Sequence, residues 1–238
     1  AIMKQVLGRR MQLLVTAGIV AFTISCNEPS GNTFTVKGQI ANSSGQKIML
    51  AELPYAAPNR IVVDSATTDS AGRFQLQTVQ SQESIYQLFL VNGPGFLLIN
   101  DADNLAVTAD TKAPEKYTIL GSPASEAIRQ LYTRFVPAYN RMQAANTAAA
   151  AALPAGQQGD SLRSAALLQR DNTQQMLQEV FTQFLTKEKN ATAQYFALGM
   201  ARQFLPVSIW QAQVDSALKA WPTHPGLALL RVSAAGNT

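Results

Sequence analysis

The chain of 238 residues contains one cysteine, Cys26, and one histidine, His224. A single cysteine excludes a disulfide within the chain. It also excludes dithiol exchange, because that reaction needs both an attacking thiolate and a resolving thiol. The Cys and His sets that hold structural zinc are excluded as well, since they require four such ligands. These cysteine- and histidine-based sites are therefore excluded, and no metal or cofactor is expected.

Charged residues are also scarce, at 14% of the chain against 47% apolar residues, which is typical of a folded protein. The formal charge is +4, but Lys4, Arg9 and Arg10 lie in residues 1–25, where there is no acid. The rest of the chain holds 16 basic and 15 acidic residues. Its basic residues are scattered, whereas nucleic-acid binding needs clustered cations interleaved with aromatic residues. We therefore expect no nucleic-acid partner.

The apolar run near the N-terminus, LLVTAGIVAFTI at 13–24, is shorter than the about 20 residues that a membrane-spanning helix needs. It follows a short basic segment, and the pair is typical of a secretory signal, which we place at 1–25. The first methionine is Met3, where we expect translation to start. Residues 26–33 are polar with Pro and Gly, and they predict a tether.

The four residues that end this segment, Thr-Ile-Ser-Cys at 23–26, resemble the lipobox of bacterial lipoproteins. Ile24 and Ser25 fit that pattern, whereas Thr23 stands where leucine is usual. The resemblance implies that the thiol of Cys26 is lipidated and that Cys26 becomes the mature N-terminus. Two or more acyl chains then anchor the protein stably, at about 0.8 kcal/mol per buried methylene. The alternative is that Cys26 is a buried or incidental thiol.

Residues 34–121 predict a β-rich domain. Apolar and polar residues alternate at 34–40, 74–77 and 86–90, as in a sheet with one solvated face. Turn signals rich in Asn, Asp and Gly separate further predicted strands, which lie at 47–53, 60–67, 95–100, 105–109 and 117–120. Short strands at this spacing favour an antiparallel sandwich or an open barrel.

Residues 122–238 predict helices, which makes the chain α+β. Ser122 followed by proline is an N-cap signal, and an apolar face at helical spacing follows it. A second helix is predicted at 160–189, and Ser208 resembles the start of a capping box that opens a third. Strands followed by helices predict a sheet covered by a helical layer, or two abutting domains.

Residues 63–74, VDSATTDSAGRF, carry the pattern D-S-x-x-T-D-x-x-G-x-F. The pattern predicts a strand, a tight turn and a return strand, in which an Asp bonds its own turn backbone and Gly supplies a positive φ. A pair of acid/base carboxylates at Asp64 and Asp69 is the alternative, and turn chemistry is favoured over it. The residues given a structural role in this turn are Asp64, Ser65, Asp69, Gly72 and Phe74.

This motif resembles the N-terminal β domain, of unknown function, of certain Gram-negative lipoproteins. The strand at 34–40, the helix entry at 121–126 and His224 with Pro225 resemble the same proteins. In them the domain precedes a thioredoxin-like domain of the thiol-disulfide oxidoreductase or peroxiredoxin-related class, with a Trp-Cys-x-x-Cys motif. The present 238 residues contain no Cys-x-x-Cys, so the resemblance implies an accessory role for them.

Other candidate residues have structural explanations. His224 is predicted as a cap or a contact between helices, since no nucleophile and acid accompany it. Trp210 and Trp221 are predicted to pack in the core, with an aromatic ligand platform as the alternative. The loop at 101–104 holds Asp and Asn but lacks the full spacing of a calcium loop.

These observations favour a non-catalytic, membrane-anchored accessory region, and no enzymatic activity is expected of this chain. The second hypothesis is a stand-alone lipoprotein that binds a peptide or a glycan. The expected location is the cell envelope of a Gram-negative bacterium, on the periplasmic side of the inner or outer membrane, or at the surface. The expected partners are the membrane, an envelope protein or a second copy of the chain.

Overall fold

The computed structural model describes residues 32–151 and 157–235. Cys26, the predicted signal and most of the predicted tether lie outside these residues. The described part begins with eight strands, which lie close to the predicted segments. Strands such as β4 alternate between buried and exposed residues, whereas β5 is buried on both faces. They are β1 (Asn32–Ala41), β2 (Lys47–Leu53), β3 (Ile61–Thr67), β4 (Arg73–Gln80), β5 (Ile85–Leu90), β6 (Gly95–Ile99), β7 (Asn104–Asp110) and β8 (Thr118–Leu120).

The strands form two four-stranded sheets, in the orders β4-β1-β7-β8 and β3-β2-β5-β6. Inward-facing side chains of both sheets meet in one apolar core, including Phe34 and Leu76 from the first sheet and Leu88 and Phe96 from the second. This arrangement confirms the predicted α+β class with an N-terminal β region. One pair, β1 with β7, is parallel, which departs from a wholly antiparallel sandwich. Parallel neighbours cannot be joined by a hairpin, and the chain forms the second sheet between them.

Five helices follow in the described part: α1 (Pro123–Ala151), α2 (Gln157–Lys187), α3 (Ala191–Ala201), α4 (Val207–Ala220) and α5 (Pro225–Ala235). Ser122 caps α1, since its Oγ accepts the N–H of Ser125 at 2.9 Å. The predicted capping box at Ser208 is wrong, because α4 begins at Val207 after the N-cap Pro206. Within the described residues no helix is both long and apolar enough to cross a bilayer.

The helices cover the outer face of the second sheet. Ile85 and Ile99 of that sheet pack against Ile128 of α1 and Ala193 of α3 in a buried cluster. The helices have a larger core of their own, centred on side chains such as Phe181. The described part therefore has three layers, which are the first sheet, the second sheet and the helices.

Candidate functional site

The predicted turn after β3 is formed by residues 69–72. Oδ1 of Asp69 accepts the N–H groups of Ala71 and Arg73, each at 2.8 Å, and Oδ2 lies 2.9 Å from Nε of Arg73. The bond from the Arg73 N–H is the main cause that lowers the pKa of Asp69. Gly72 has a φ of 77°, and the side chain of Phe74 is buried in the sandwich core.

Asp64 and Ser65 do not lie in this turn, which corrects the predicted assignment. Both belong to β3, the edge strand of the second sheet. Oδ2 of Asp64 accepts the N–H of Gln77 in β4 at 2.8 Å, and Oδ1 accepts the N–H of Ser65 at 2.7 Å. The carboxylate therefore joins the edges of the two sheets and is not paired with Asp69 as an acid and base.

Two carboxylates of the loop before β7 form structural hydrogen bonds, and one oxygen, Oδ1 of Asp101, is buried without a hydrogen-bond partner among the described residues. Asp101 accepts the N–H of Ala124 at 2.9 Å, at the start of α1. Asp103 accepts a bond of 3.1 Å from Nε2 of Gln80. Across 32–151 and 157–235 no group of three or more His, Cys, Asp or Glu side chains is arranged to hold a metal ion.

The structure places both tryptophans in the helical core. Trp210 is 3% exposed, and its Nε1 donates to the carbonyl of Leu198 at 2.8 Å. The guanidinium carbon of Arg202 lies 5.4 Å from the Trp210 ring centroid. Trp221 is partly buried against the same core.

His224 caps the last helix. Its Nδ1 accepts the N–H of Leu227 at 3.2 Å, so the proton of the neutral ring lies on Nε2. Nε2 is 3.2 Å from Oγ1 of Thr192. Burial lowers the pKa of His224, which favours this neutral form.

A chain of polar contacts continues from His224 into the β-sandwich. Oγ1 of Thr192 lies 3.0 Å from the hydroxyl of Tyr55, which donates to the carbonyl of Glu83 at 2.8 Å. The side-chain amide of Asn190 donates to the Glu83 carboxylate at 3.0 and 3.1 Å. Burial raises the pKa of Tyr55 to about 12, so its hydroxyl stays protonated as the donor. These contacts join the sandwich to the helices.

A groove of about 780 Å³ lies between the second sheet, α1, α3 and the loop before β8. Its walls are mainly apolar and aromatic, which is typical of binding clefts. Leu97 of β6 lies on one side, and Tyr132, Val136 and Phe196 of the helices lie on the other. No sequence pattern predicted this groove, because its residues come from five separate segments.

Two charged side chains line the groove and differ in their surroundings. Arg129 forms two bonds with the carboxylate of Glu126, at 2.6 and 2.7 Å, which lower the pKa of Glu126 and raise that of Arg129. The guanidinium carbon of Arg129 lies 6.0 Å from the Tyr117 ring centroid. Glu115 is exposed and forms no ion pair with the residues that the structure describes.

Residues 34–128 match the family model described as "Domain of unknown function (DUF4369)". The match covers the sandwich and the start of α1. No curated protein matches the chain. A solved 9R-lipoxygenase from Cyanothece PCC8801 is similar over 82% of this chain and 30% of its own, with 10% identity and a TM-score of 0.24. A TM-score this low does not indicate a shared fold.

Proposed function

We propose that this chain is a non-catalytic, membrane-anchored accessory and interaction region of the cell envelope. The observation that carries the proposal is the apolar groove of about 780 Å³ where the sandwich meets the helices. A groove of this size and lining is suited to binding. Arg129, which lines the groove, is paired with Glu126, and this pairing favours binding over chemistry.

The polar residues that suggested chemistry support the same proposal. Asp64 and Asp69 accept backbone N–H groups, Asp101 accepts one at the start of α1, and His224 caps α5. A general base must be free to take a proton from a substrate, whereas Asp64, Asp69 and His224 are held in bonds that stabilise the fold. Asp101 forms its bond through Oδ2, and its other oxygen is buried away from solvent.

The anchor in this proposal is the acylated thiol of Cys26, for which the lipobox-like residues 23–26 are the support. We further propose that the chain forms the N-terminal part of a thioredoxin-like thiol-disulfide oxidoreductase lipoprotein. Its support is the motif at 63–74, inside the domain of unknown function at 34–128. In such a protein the sandwich and helices would position the redox domain near its substrates.

A disulfide-reductase assay of the purified chain tests the non-catalytic role. We expect no turnover above the buffer, because Cys26 has no resolving partner in the chain. Turnover by these residues alone would contradict the proposal.

A stand-alone lipoprotein that binds a peptide or a glycan is the second candidate, and the groove favours it equally. The coding sequence beyond Thr238 distinguishes the two. A Trp-Cys-x-x-Cys domain there supports the first candidate, and an immediate stop codon supports the second.

A further inference from the structure

The strand at the sheet side of the groove, β6, has a free edge. β6 is the outer strand of its sheet and pairs with β5 alone. The bonds from Leu90 to the Pro94 carbonyl and from Asn100 to the Ser84 carbonyl show which residues face β5. In an antiparallel pair, residues that bond the neighbouring strand alternate with residues whose backbone groups point away from it. The N–H and carbonyl groups of Gly95 and Leu97 therefore point away from the sheet.

The free edge has the length of a short strand. At one end of β6 the N–H of Ile99 donates to Oγ of Ser125 at 2.7 Å, and its carbonyl accepts from Ser122 at 3.1 Å. In the described part of the chain no such partner covers the N–H and carbonyl of Leu97. Leu97 lines the groove, and these two groups are available to another chain.

The helix side of the groove offers a further backbone acceptor. Pro137 lies inside α1 and has no N–H, so the carbonyl of Thr133 has no donor four residues ahead. Thr133 and Pro137 both line the groove. The proline thus costs the helix a bond and leaves an acceptor at the wall opposite β6.

We propose that the groove binds an extended peptide, which adds as a strand to the edge of β6. Its backbone bonds the N–H and carbonyl of Leu97, and an N–H reaches the Thr133 carbonyl. Because side chains of a strand alternate between faces, its residues at every second position are apolar and contact Tyr132, Val136 and Phe196. This is the general mode of strand addition, and it rests on the interaction role proposed above.

Charge complementarity specifies one more feature of the peptide. Glu115 lines the groove as an exposed carboxylate that forms no ion pair within the described ranges. Arg129 is engaged by Glu126 at 2.6 Å. Arg60 lies at the margin of the groove, where it donates to the side chain of Gln87 at 2.8 Å. The carboxylate of Glu115 is the charge inside the groove that a Lys or Arg of the peptide would pair with, beside its apolar residues.

The probe is a fluorescent peptide of sequence Lys-Val-Thr-Val-Thr-Val-Lys, titrated into the full chain in detergent. We expect saturable binding that a peptide of the same composition in scrambled order does not show. Two further versions carry N-methyl groups, either on the three valines or on the two threonines. One of them should bind at least about ten-fold more weakly, because one set of N–H groups faces β6.

Pro137→Ala distinguishes an effect on peptide binding from an effect on the stability of the fold. Alanine restores an N–H that bonds the Thr133 carbonyl, so we expect a higher melting midpoint. The same variant should bind the probe about five-fold more weakly, since the peptide loses an acceptor. A variant that was merely damaged would lose both stability and binding.

Three surface substitutions complete the test. Val136→Lys places a cation at the apolar wall and should abolish binding, whereas Leu168→Lys on the exposed surface of α2 should leave it unchanged. Glu115→Lys should weaken binding of the probe, whose ends carry Lys. The same variant should bind a peptide with Glu at both ends more tightly than the wild type does. Absence of saturable binding, or equal affinity for the parent, scrambled and N-methylated peptides, would overturn the proposal. A glycan that binds in their place would overturn it too. None of these results bears on the acylation of Cys26, which is measured separately.

Discussion

Oδ2 of Asp64 lies 2.8 Å from the backbone nitrogen of Gln77, across the gap between the two sheets. Both residues belong to edge strands, β3 of one sheet and β4 of the other. The carboxylate supplies an acceptor for an N–H group that no neighbouring strand could reach. It thus closes this side of the sandwich and protects the edge from pairing with other chains.

Asp64→Ala should lower the free energy of unfolding by about 1 kcal/mol, because a partly exposed hydrogen bond to a charged acceptor is lost. Asp64→Asn keeps one acceptor oxygen and should lose about half as much. Urea denaturation measures both variants. An alanine variant with the wild-type midpoint would show that this bond does not hold the sheets together.

Gly72→Ala should destabilise the β-sandwich by more than about 2 kcal/mol. Gly72 has a φ of 77°, and an added Cβ would lie 2.0 Å from the carbonyl oxygen of Ile40. Gly45 is the matched control, because its φ is 72° but nothing lies within 4 Å of the added Cβ. Gly45→Ala should therefore lower the free energy of unfolding by only about 1 kcal/mol, which is the cost of placing alanine in the left-handed region. Equal melting midpoints for the two variants would contradict the close approach at Gly72.

Gly226→Ala should loosen the junction between the sandwich and the helices. The added Cβ would lie 2.6 Å from Cδ1 of Tyr55 and 2.7 Å from Cδ2 of Tyr195, and such overpacking costs about 1–3 kcal/mol. Gly199→Ala, also within a helix, meets nothing within 4 Å and should stabilise the protein by about 0.5–1 kcal/mol. Thermal denaturation checks the opposite signs, and a stabilising Gly226→Ala would rule out tight packing there.

The cap at α5 predicts a pH dependence of stability. Burial lowers the pKa of His224, so the folded state prefers the neutral ring, and protonation would also remove the acceptor for Leu227. The contribution of His224 is fully present above its unfolded pKa of about 6.5. It is lost as the pH falls from there toward the lowered folded pKa.

His224→Asn isolates this effect, because asparagine caps a helix without titrating near neutral pH. His224 is the chain's single histidine, so the variant should lose less stability than the wild type between pH 7.5 and pH 5.5. Chemical denaturation at the two pH values measures the difference. An identical loss in both proteins would exclude His224 as the cause.

The sequence predicted strands such as β4 well because their residues alternate between a core face and a solvated face. The predicted segment at 47–53 coincides with β2, and the N-cap at Ser122 is visible locally. Helix α3 was not predicted, because it is buried on several faces and shows no polar side. The parallel pairing of β1 with β7 depends on how the sheets assemble, and local patterns carry no information on it.

Local sequence patterns could not predict the contacts that define the candidate site either, because the contacting residues are far apart in the sequence. Tyr55 and Thr192 are 137 residues apart in sequence, and neither belongs to a motif. Asp64 was assigned to a turn because its neighbours resemble turn residues, whereas its partner Gln77 lies in the other sheet. Pro137 looks like a helix breaker, but it lies inside α1, where it leaves the carbonyl of Thr133 without a donor four residues ahead.

The central claim is that the single thiol of the chain carries lipid and anchors an interaction region. Growth of expressing cells with a clickable fatty-acid analogue, followed by purification of the wild type and of Cys26→Ser, tests this claim most directly. The account predicts label on the wild type and none on the variant, which should accumulate as an unprocessed precursor. Label on Cys26→Ser, or a wild-type protein recovered without lipid and with a free thiol, would contradict it.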